Sequence, residues 1–189
     1  MGLLARARHG LLVLAAAAAL GLPAAALAQD AGAPRLYEQK IKAGLVYNFL
    51  KFTVWPSRNA AIQSGRLRVC LYGEDPFDGY LYPLEGRTAR QLSIMISRVR
   101  TPGEAAGCSL VYIHRSHEAE LPRILAFLKG KSVMTVSDIE KFAEKGGMVE
   151  LAMQDRRIHL FINPQATQAA GIRIEDRMLK LSTLVAGNG

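Results

Sequence analysis

The sequence predicts an α/β fold in a single domain: a mostly parallel central sheet flanked by helices, with an antiparallel hairpin at one edge. Three observations lead there. Short apolar runs bounded by turn residues, Leu67–Tyr72, Leu110–His114 and Lys131–Val136, alternate with stretches that carry helix-start signals. An early segment, 36–54, has apolar residues at helical spacing. Near the end, two β-type runs flank Gln154-Asp155, the pattern of a hairpin that joins an otherwise parallel sheet.

In chain order, Arg6 and Arg8 precede an apolar run from Gly10 that ends in Ala26-Leu27-Ala28. This reads as a secretory signal peptide with a small-x-small cleavage site, so the working chain is expected to begin at Gln29 in the periplasm. Gly10–Ala28 is also about long enough to cross a bilayer as a helix. The strongly apolar part is only Leu11–Leu20, however, and Pro23 interrupts the run, so a cleaved leader over 1–28 and no membrane insertion after cleavage are the expectation. No cysteine follows the run to take a lipid anchor. Cleavage leaves 161 residues for one α/β domain over 29–189, and lowers the net charge from +8 to +6, because Arg6 and Arg8 leave and no acid does. The basic residues are dispersed in pairs, Lys40 and Lys42, Arg66 and Arg68, Arg98 and Arg100, Arg156 and Arg157. Dispersed pairs fit solvated faces, not a nucleic-acid groove, so no nucleic-acid partner is expected.

Ile41, Leu45, Phe49 and Phe52, widened by Val46 and Leu50, predict a helix over Leu36–Val54, stopped by Trp55-Pro56. Leu67–Tyr72 follows as a strand, then Gly73 and a helix opening at Asp75-Pro76, an N-cap before a proline at the first helical position. Gln91–Val99 and Leu110–His114 are the next strands. Ser116 is placed to cap a helix through Leu128, with Glu118 and Glu120 near the positive end of its dipole. After the strand Lys131–Val136, Ser137-Asp138-Ile139-Glu140 has the form of a capping box at the start of a short helix, which Gly146-Gly147 ends. Met148–Met153 and Arg156–Ile162 form the hairpin, Asn163-Pro164 opens another helix, and a last helix runs from Ile174 or Glu175 to Val185.

Few residues carry chemistry. Cys70 and Cys108 form an even pair, which in an exported protein most simply makes one disulfide between neighbouring strands. A redox switch is the alternative, without a C-x-x-C spacing to favour it. His114, His117 and Glu118 have the look of a metal cluster, but one lies at a strand end and the others at a helix start, so no metal site is expected. Gly130-Lys131-Ser132 resembles the tail of a phosphate loop, yet Leu125 stands where the motif needs glycine and the helix and strand come in the wrong order. Glu74 and Asp75 follow the first sheet strand, where open α/β sheets bind ligands, although capping explains Asp75 as well. No nucleophile, base and orienting partner assemble from these motifs, so no catalytic residue, no enzyme activity and no cofactor are expected. Phe77, Tyr80, Leu81 and Tyr82 form an aromatic cluster that could anchor a partner or cover a sheet edge.

From Lys42 the chain reads Lys-Ala-Gly-Leu-Val-Tyr-Asn-Phe-Leu-Lys-Phe-Thr-Val-Trp-Pro, ending at Pro56, and it resembles the YfiR-like family, whose first helix carries K-A-x-x-x-Y-N-F-x-K-F-x-x-W-P. Val69–Phe77, Cys108 before Leu110–Ile113, Val133–Asp138, Gly146–Val149, Phe161–Asn163, Ala170–Ile172 and Leu179–Ser182 extend the resemblance over nearly all of the exported chain. The resemblance implies a periplasmic regulator without catalytic activity that binds the extracytoplasmic part of an inner-membrane diguanylate cyclase and holds it inactive, lowering cyclic di-GMP and with it biofilm formation. It also implies a Cys70–Cys108 disulfide and a homodimer. A second cysteine pair known in some members has no counterpart. The expected contact surface comprises Phe77, Tyr80 and Tyr82 with Met178 and Leu181 of the last helix. The alternative is a periplasmic small-molecule sensor that uses the crevice beyond Tyr72–Phe77 and acts on a membrane histidine kinase or receptor system.

Overall fold

The apolar stripe of the early segment does form a helix, α1 (Ala33–Lys51). The computed structural model describes residues 33–187, so the leader expected over 1–28 and the start at Gln29 lie outside the described residues. Ala43, Val46, Phe49 and Leu50 of α1 are buried. The helix stops before Trp55 because Thr53–Val54 (β1) is drawn into an antiparallel pair with Arg173–Ile174 (β9).

The remaining strands are β2 (Arg66–Tyr72), β3 (Thr88–Ala89), β4 (Leu92–Val99), β5 (Leu110–Ile113), β6 (Met134–Ser137), β7 (Val149–Gln154), β8 (Arg157–Ile162) and β10 (Ser182–Leu184). They make one eight-stranded sheet in the order β10-β8-β7-β6-β5-β2-β4-β3. Only β3–β4 and β7–β8 are antiparallel, so the fold is the expected mixed α/β type with a mostly parallel sheet. The antiparallel pair at an edge is β3–β4, whereas the β7–β8 hairpin lies one strand in, with β10 added outside it.

Two cores cover the two faces of the sheet. On the first face α1 packs with Leu67, Val69, Leu71, Ile94, Leu110, Tyr112 and Val136. The opposite face packs Cys70, Tyr72, Val111 and Ile113 against α3 (Pro102–Ala105) and α4 (Leu121–Leu128). Alternation along β2 and β5 deals their side chains to the two cores in turn. Cys70 and Cys108 are both fully buried and disulfide-bonded, with Cα atoms 6.2 Å apart, between the parallel neighbours β2 and β5.

The segment after β1 is pinned beneath the sheet. Trp55 Nε1 donates to Ser109 O (2.6 Å), and Asn59 Nδ2 donates to Cys108 O (2.9 Å) and Ser132 O (2.6 Å). Asn59 Oδ1 also accepts from Ile62 N (3.1 Å), capping α2 (Ala60–Gln63). Asn59→Ala removes the cap and leaves two buried carbonyls unpaired. A loss of about 2–3 kcal/mol in unfolding free energy is expected, read from urea denaturation.

Four predicted helices differ in the structure. After β2, Asp75 accepts from Phe77 N (2.8 Å) and Gly79 N (3.2 Å), and Asp78 and Gly79 take positive φ, so the segment folds as turns with only a 3-10 turn at Tyr82–Leu84. After β6, Glu150 reaches from β7 to accept from Lys141 N (3.1 Å) and Ala143 N (3.2 Å), replacing the carbonyls a helix would offer. Ser137 Oγ is used up on Ile113 O and Ile139 N, and no capping box forms. The last helix is one turn, α6 (Asp176–Leu179), because Ser182–Leu184 pairs in parallel with Leu160–Ile162. The helix expected over Ser116–Leu128 begins instead as a 3-10 turn at Arg115–Glu120 capped by His114, and becomes α4 only at Leu121. Asn163-Pro164 opens α5 (Pro164–Ala169) as expected.

Candidate functional site

The order β4-β2-β5-β6 places β4 on one side of β2 and β5 on the other, so the chain reverses direction across the sheet between β2 and β5. Ligand sites of open α/β sheets lie beyond the carboxyl ends of the strands at such a switch. Here that position holds Gly73, Glu74 and Asp75 after β2, His114–His117 after β5, and Asp138 after β6.

The crevice itself is filled from within. The His117 ring stands edge-on to Tyr72, with centroids 4.8 Å apart, and its Nδ1 lies 3.1 Å from Glu120 Oε1. Gly73 makes room for it: its φ is +99°, and a Cβ there would come within 2.6 Å of His117 Cδ2. His114 instead accepts from Ser116 N (3.2 Å), while Glu118 pairs with Lys145 Nζ (2.9 Å). The three residues of the apparent metal cluster thus have three different partners, and among the described residues no three His, Cys, Asp or Glu converge. Asp75 is spent on its own turn, and Glu74 is exposed.

Beside the crevice, under α1, lies a buried ionic cluster. Lys42 is only 3 % exposed; its Nζ bonds Glu38 Oε1 (2.5 Å) and Asp138 Oδ2 (2.7 Å). Arg115 Nη2 reaches the same Asp138 oxygen at 3.0 Å. Burial pushes the Asp138 carboxyl up, but Lys42 and then Arg115 outweigh it and hold it below the usual carboxylate range. Burial, and next the Asp138 charge, pushes the Tyr112 hydroxyl well above the usual phenol range. Among the described residues neither Tyr112 Oη nor Asp138 Oδ1 has a hydrogen-bond partner. The cluster clamps the first helix to the ends of β5 and β6. Sequence reasoning missed it, although the signal was present: Lys42 lies four and seven residues before Val46 and Phe49, on the buried stripe where a lysine needs a partner.

The five residues expected at a contact surface separate. Tyr80 (39 %), Tyr82 (43 %) and Leu181 (72 %) are exposed. Phe77 and Met178 are buried in the first core, Phe77 edge-on to Tyr112 at 4.9 Å, and this corrects their place in a contact surface. Leu181 is not helical: it follows α6 and leads into β10. Tyr80 and Tyr82 belong to the crossover toward β3, so the exposed residues are associated with opposite edges in the strand order. A separate cavity of about 440 Å³ opens between α4 and α5, lined by Leu125, Ala126, Met148, Ala166 and Ala169 with Lys129 and Lys145. No sequence motif pointed to it.

A protein-family model described as YfiR/HmsC-like matches residues 39–183. No curated protein matches. Two solved structures are similar at a distance. An ABC domain in complex with L-Trp from Streptococcus pneumonia is 14% identical, with a TM-score of 0.45, covering 68% of this chain and 58% of its own. A conserved domain protein from Vibrio cholerae is 10% identical, with a TM-score of 0.48, covering 77% of this chain and 59% of its own. The chain therefore spans less than two thirds of either structure, and the likenesses are too distant to bear on function.

Proposed function

The chain belongs to the YfiR/HmsC-like family, and from that premise we propose that it is a periplasmic regulatory binding protein which represses an inner-membrane diguanylate cyclase by holding its periplasmic part. The observation that carries this reading is the family match across residues 39–183. The buried disulfide supports an oxidising compartment. Among the described residues no helix is long and apolar enough to cross a membrane. At the strand ends Asp75 bonds its own turn, His117 lies against Glu120, and Asp138 Oδ2 is held by Lys42 and Arg115.

The physics of such repression is differential affinity. A regulator moves its partner between active and inactive states only by the difference in its binding to the two. A change from 1:99 to 99:1 takes about 5.5 kcal/mol, within reach of one interface of about 1,600 Å². A homodimeric regulator matches a dimeric membrane partner by sharing its two-fold axis.

The test is capture of the tagged, exported protein from detergent-solubilised membranes, with mass spectrometry of what it retains and cyclic di-GMP measured in cells with and without it. A retained cyclase and a rise in cyclic di-GMP on deletion are expected. Recovery of no integral-membrane signalling protein sinks the reading. The α4–α5 cavity favours a second one, a small-molecule sensor acting on a membrane kinase or receptor system, and there the retained protein would be a kinase or receptor.

A further inference from the structure

The sheet lacks a layer. Parallel strands of an α/β protein are covered on both faces, yet the β2–β4 crossover passes over the first face, where Phe77, Leu81 and Leu84 join the core. On the second face α3 shares a core with Cys70, Tyr72 and Val99, toward the carboxyl end of the strands, and just after it Gly107 lies beside Arg68. The amino half of β2 and β4 there presents Arg66, Arg68, Ser93 and Met95, which are exposed or half-buried. Register confirms the shared face, since Arg66 pairs with Ser93 and Arg68 with Met95. The alternation Arg-Leu-Arg-Val beside Ser-Ile-Met-Ile is that of a sheet with one dry face and one left open.

The two arginines lie along this face. Arg66 Nη1 donates to Met95 Sδ (3.1 Å) and Arg68 Nε to Ser97 Oγ (3.2 Å). Neither makes an ion pair among the described residues. The nearby acids are engaged elsewhere: Glu104 accepts from Arg100 N (2.8 Å) and Glu85 from Ile96 N (2.5 Å). Each guanidinium therefore keeps donors free in the fork arrangement that matches a carboxylate. Two residues apart on a strand, they stand about 6.6 Å from each other. Side chains one turn apart on a helix are spaced by about 5–6 Å.

We propose that the open face of β2 and β4 is the docking surface for an acidic amphipathic helix of the membrane partner, whose carboxylates one turn apart engage Arg66 and Arg68 and whose apolar side chains rest on Met95. The partner's identity rests on the regulatory reading above. An anionic membrane would draw lysines and arginines that stand out from a surface, whereas Arg66 is bonded to Met95 Sδ and Arg68 to Ser97 Oγ along the sheet.

The test is the same membrane capture with whole tagged protein, comparing wild type with R66E/R68E, with R66K/R68K, and with R156E/R157E, which changes net charge equally at the β7–β8 hairpin. R66E/R68E is expected to recover at least tenfold less of the membrane signalling protein, R66K/R68K about threefold less, and R156E/R157E an amount within twofold of wild type. Full capture by R66E/R68E overturns the surface and leaves the regulatory reading standing, whereas failure of wild type to capture any membrane signalling protein overturns both. Equal loss in R156E/R157E shows a net-charge effect and overturns the proposal. So does conversion of a dimer to a monomer by R66E/R68E in sedimentation, which would give the face to a second copy. Loss of binding to phosphatidylglycerol vesicles with partner capture unchanged would give it to a membrane. If R66E/R68E fails to fold by circular dichroism, R66K/R68K decides, and full capture by it overturns the proposal.

Discussion

Lys42→Ala lowers the unfolding free energy by about 3–5 kcal/mol, the cost of leaving a buried charge without its partner. The ammonium is the cation between Glu38 and Asp138, and its removal leaves the buried Asp138 with the exposed Arg115 as its counter-charge. Urea denaturation at neutral pH measures the loss, and for a domain of this size the melting temperature falls on the order of 10 °C. Asp138→Asn keeps the shape and removes the charge. Because the folded carboxyl of Asp138 is held below its unfolded value of about 3.9, its contribution is complete above that pH and disappears as pH falls through the depressed folded value. Wild-type stability therefore drops more steeply on the acid side than that of Asp138→Asn. Identical acid limbs would show that the cluster does not hold α1 in place.

Cys70→Ala with Cys108→Ala costs about 4 kcal/mol, the chain-entropy value for a closed loop of the 38 residues that separate the two cysteines. Both positions are fully buried in the second core, and alanine leaves only small voids there. The measurement is urea denaturation of the double variant against the oxidised wild type. The reduced wild type should fall to within about 1 kcal/mol of the variant, since constraint of the unfolded chain, not packing, is what both have lost. A variant as stable as the oxidised protein would remove the disulfide from the stabilising interactions of the fold.

Most strands could be read from local chemistry, because an apolar run ended by glycine or a polar turn has few other uses. Leu67–Tyr72 and Leu110–His114 came within a residue of β2 and β5. The helices failed where a distant group changed the answer. Ser137-Asp138-Ile139-Glu140 has a sound capping pattern, but Glu150 takes the backbone donors and Lys42 takes Asp138. Glu150 stands 9 and 7 residues beyond those donors, on the next strand, and Lys42 lies 96 residues before Asp138. The run after Glu175 has helical spacing, and the open side of β8 gives Ser182–Leu184 a better use. At the candidate site the same limit applies. Tyr80, Tyr82 and Leu181 are exposed, as a contact surface needs, whereas Phe77 and Met178 are apolar residues whose burial depends on tertiary packing. The ionic cluster joins residues from α1, the end of β5 and the end of β6, and no single window of sequence contains it.

The small β1–β9 pair bears on how the fold is reached. Thr53 and Ile174 face each other across more than a hundred residues of chain, and Lys42 meets Asp138 over a comparable span. The entropy of closing loops of that size must be spent before these contacts return any of it, which makes them late events in folding. Until residues 173–174 are free to pair, the segment after the first helix has no strand partner, and a nascent chain emerging from its amino end cannot complete this domain. Acquisition of the native topology is thereby postponed until the chain through residue 174 is present, long after the first helix can form.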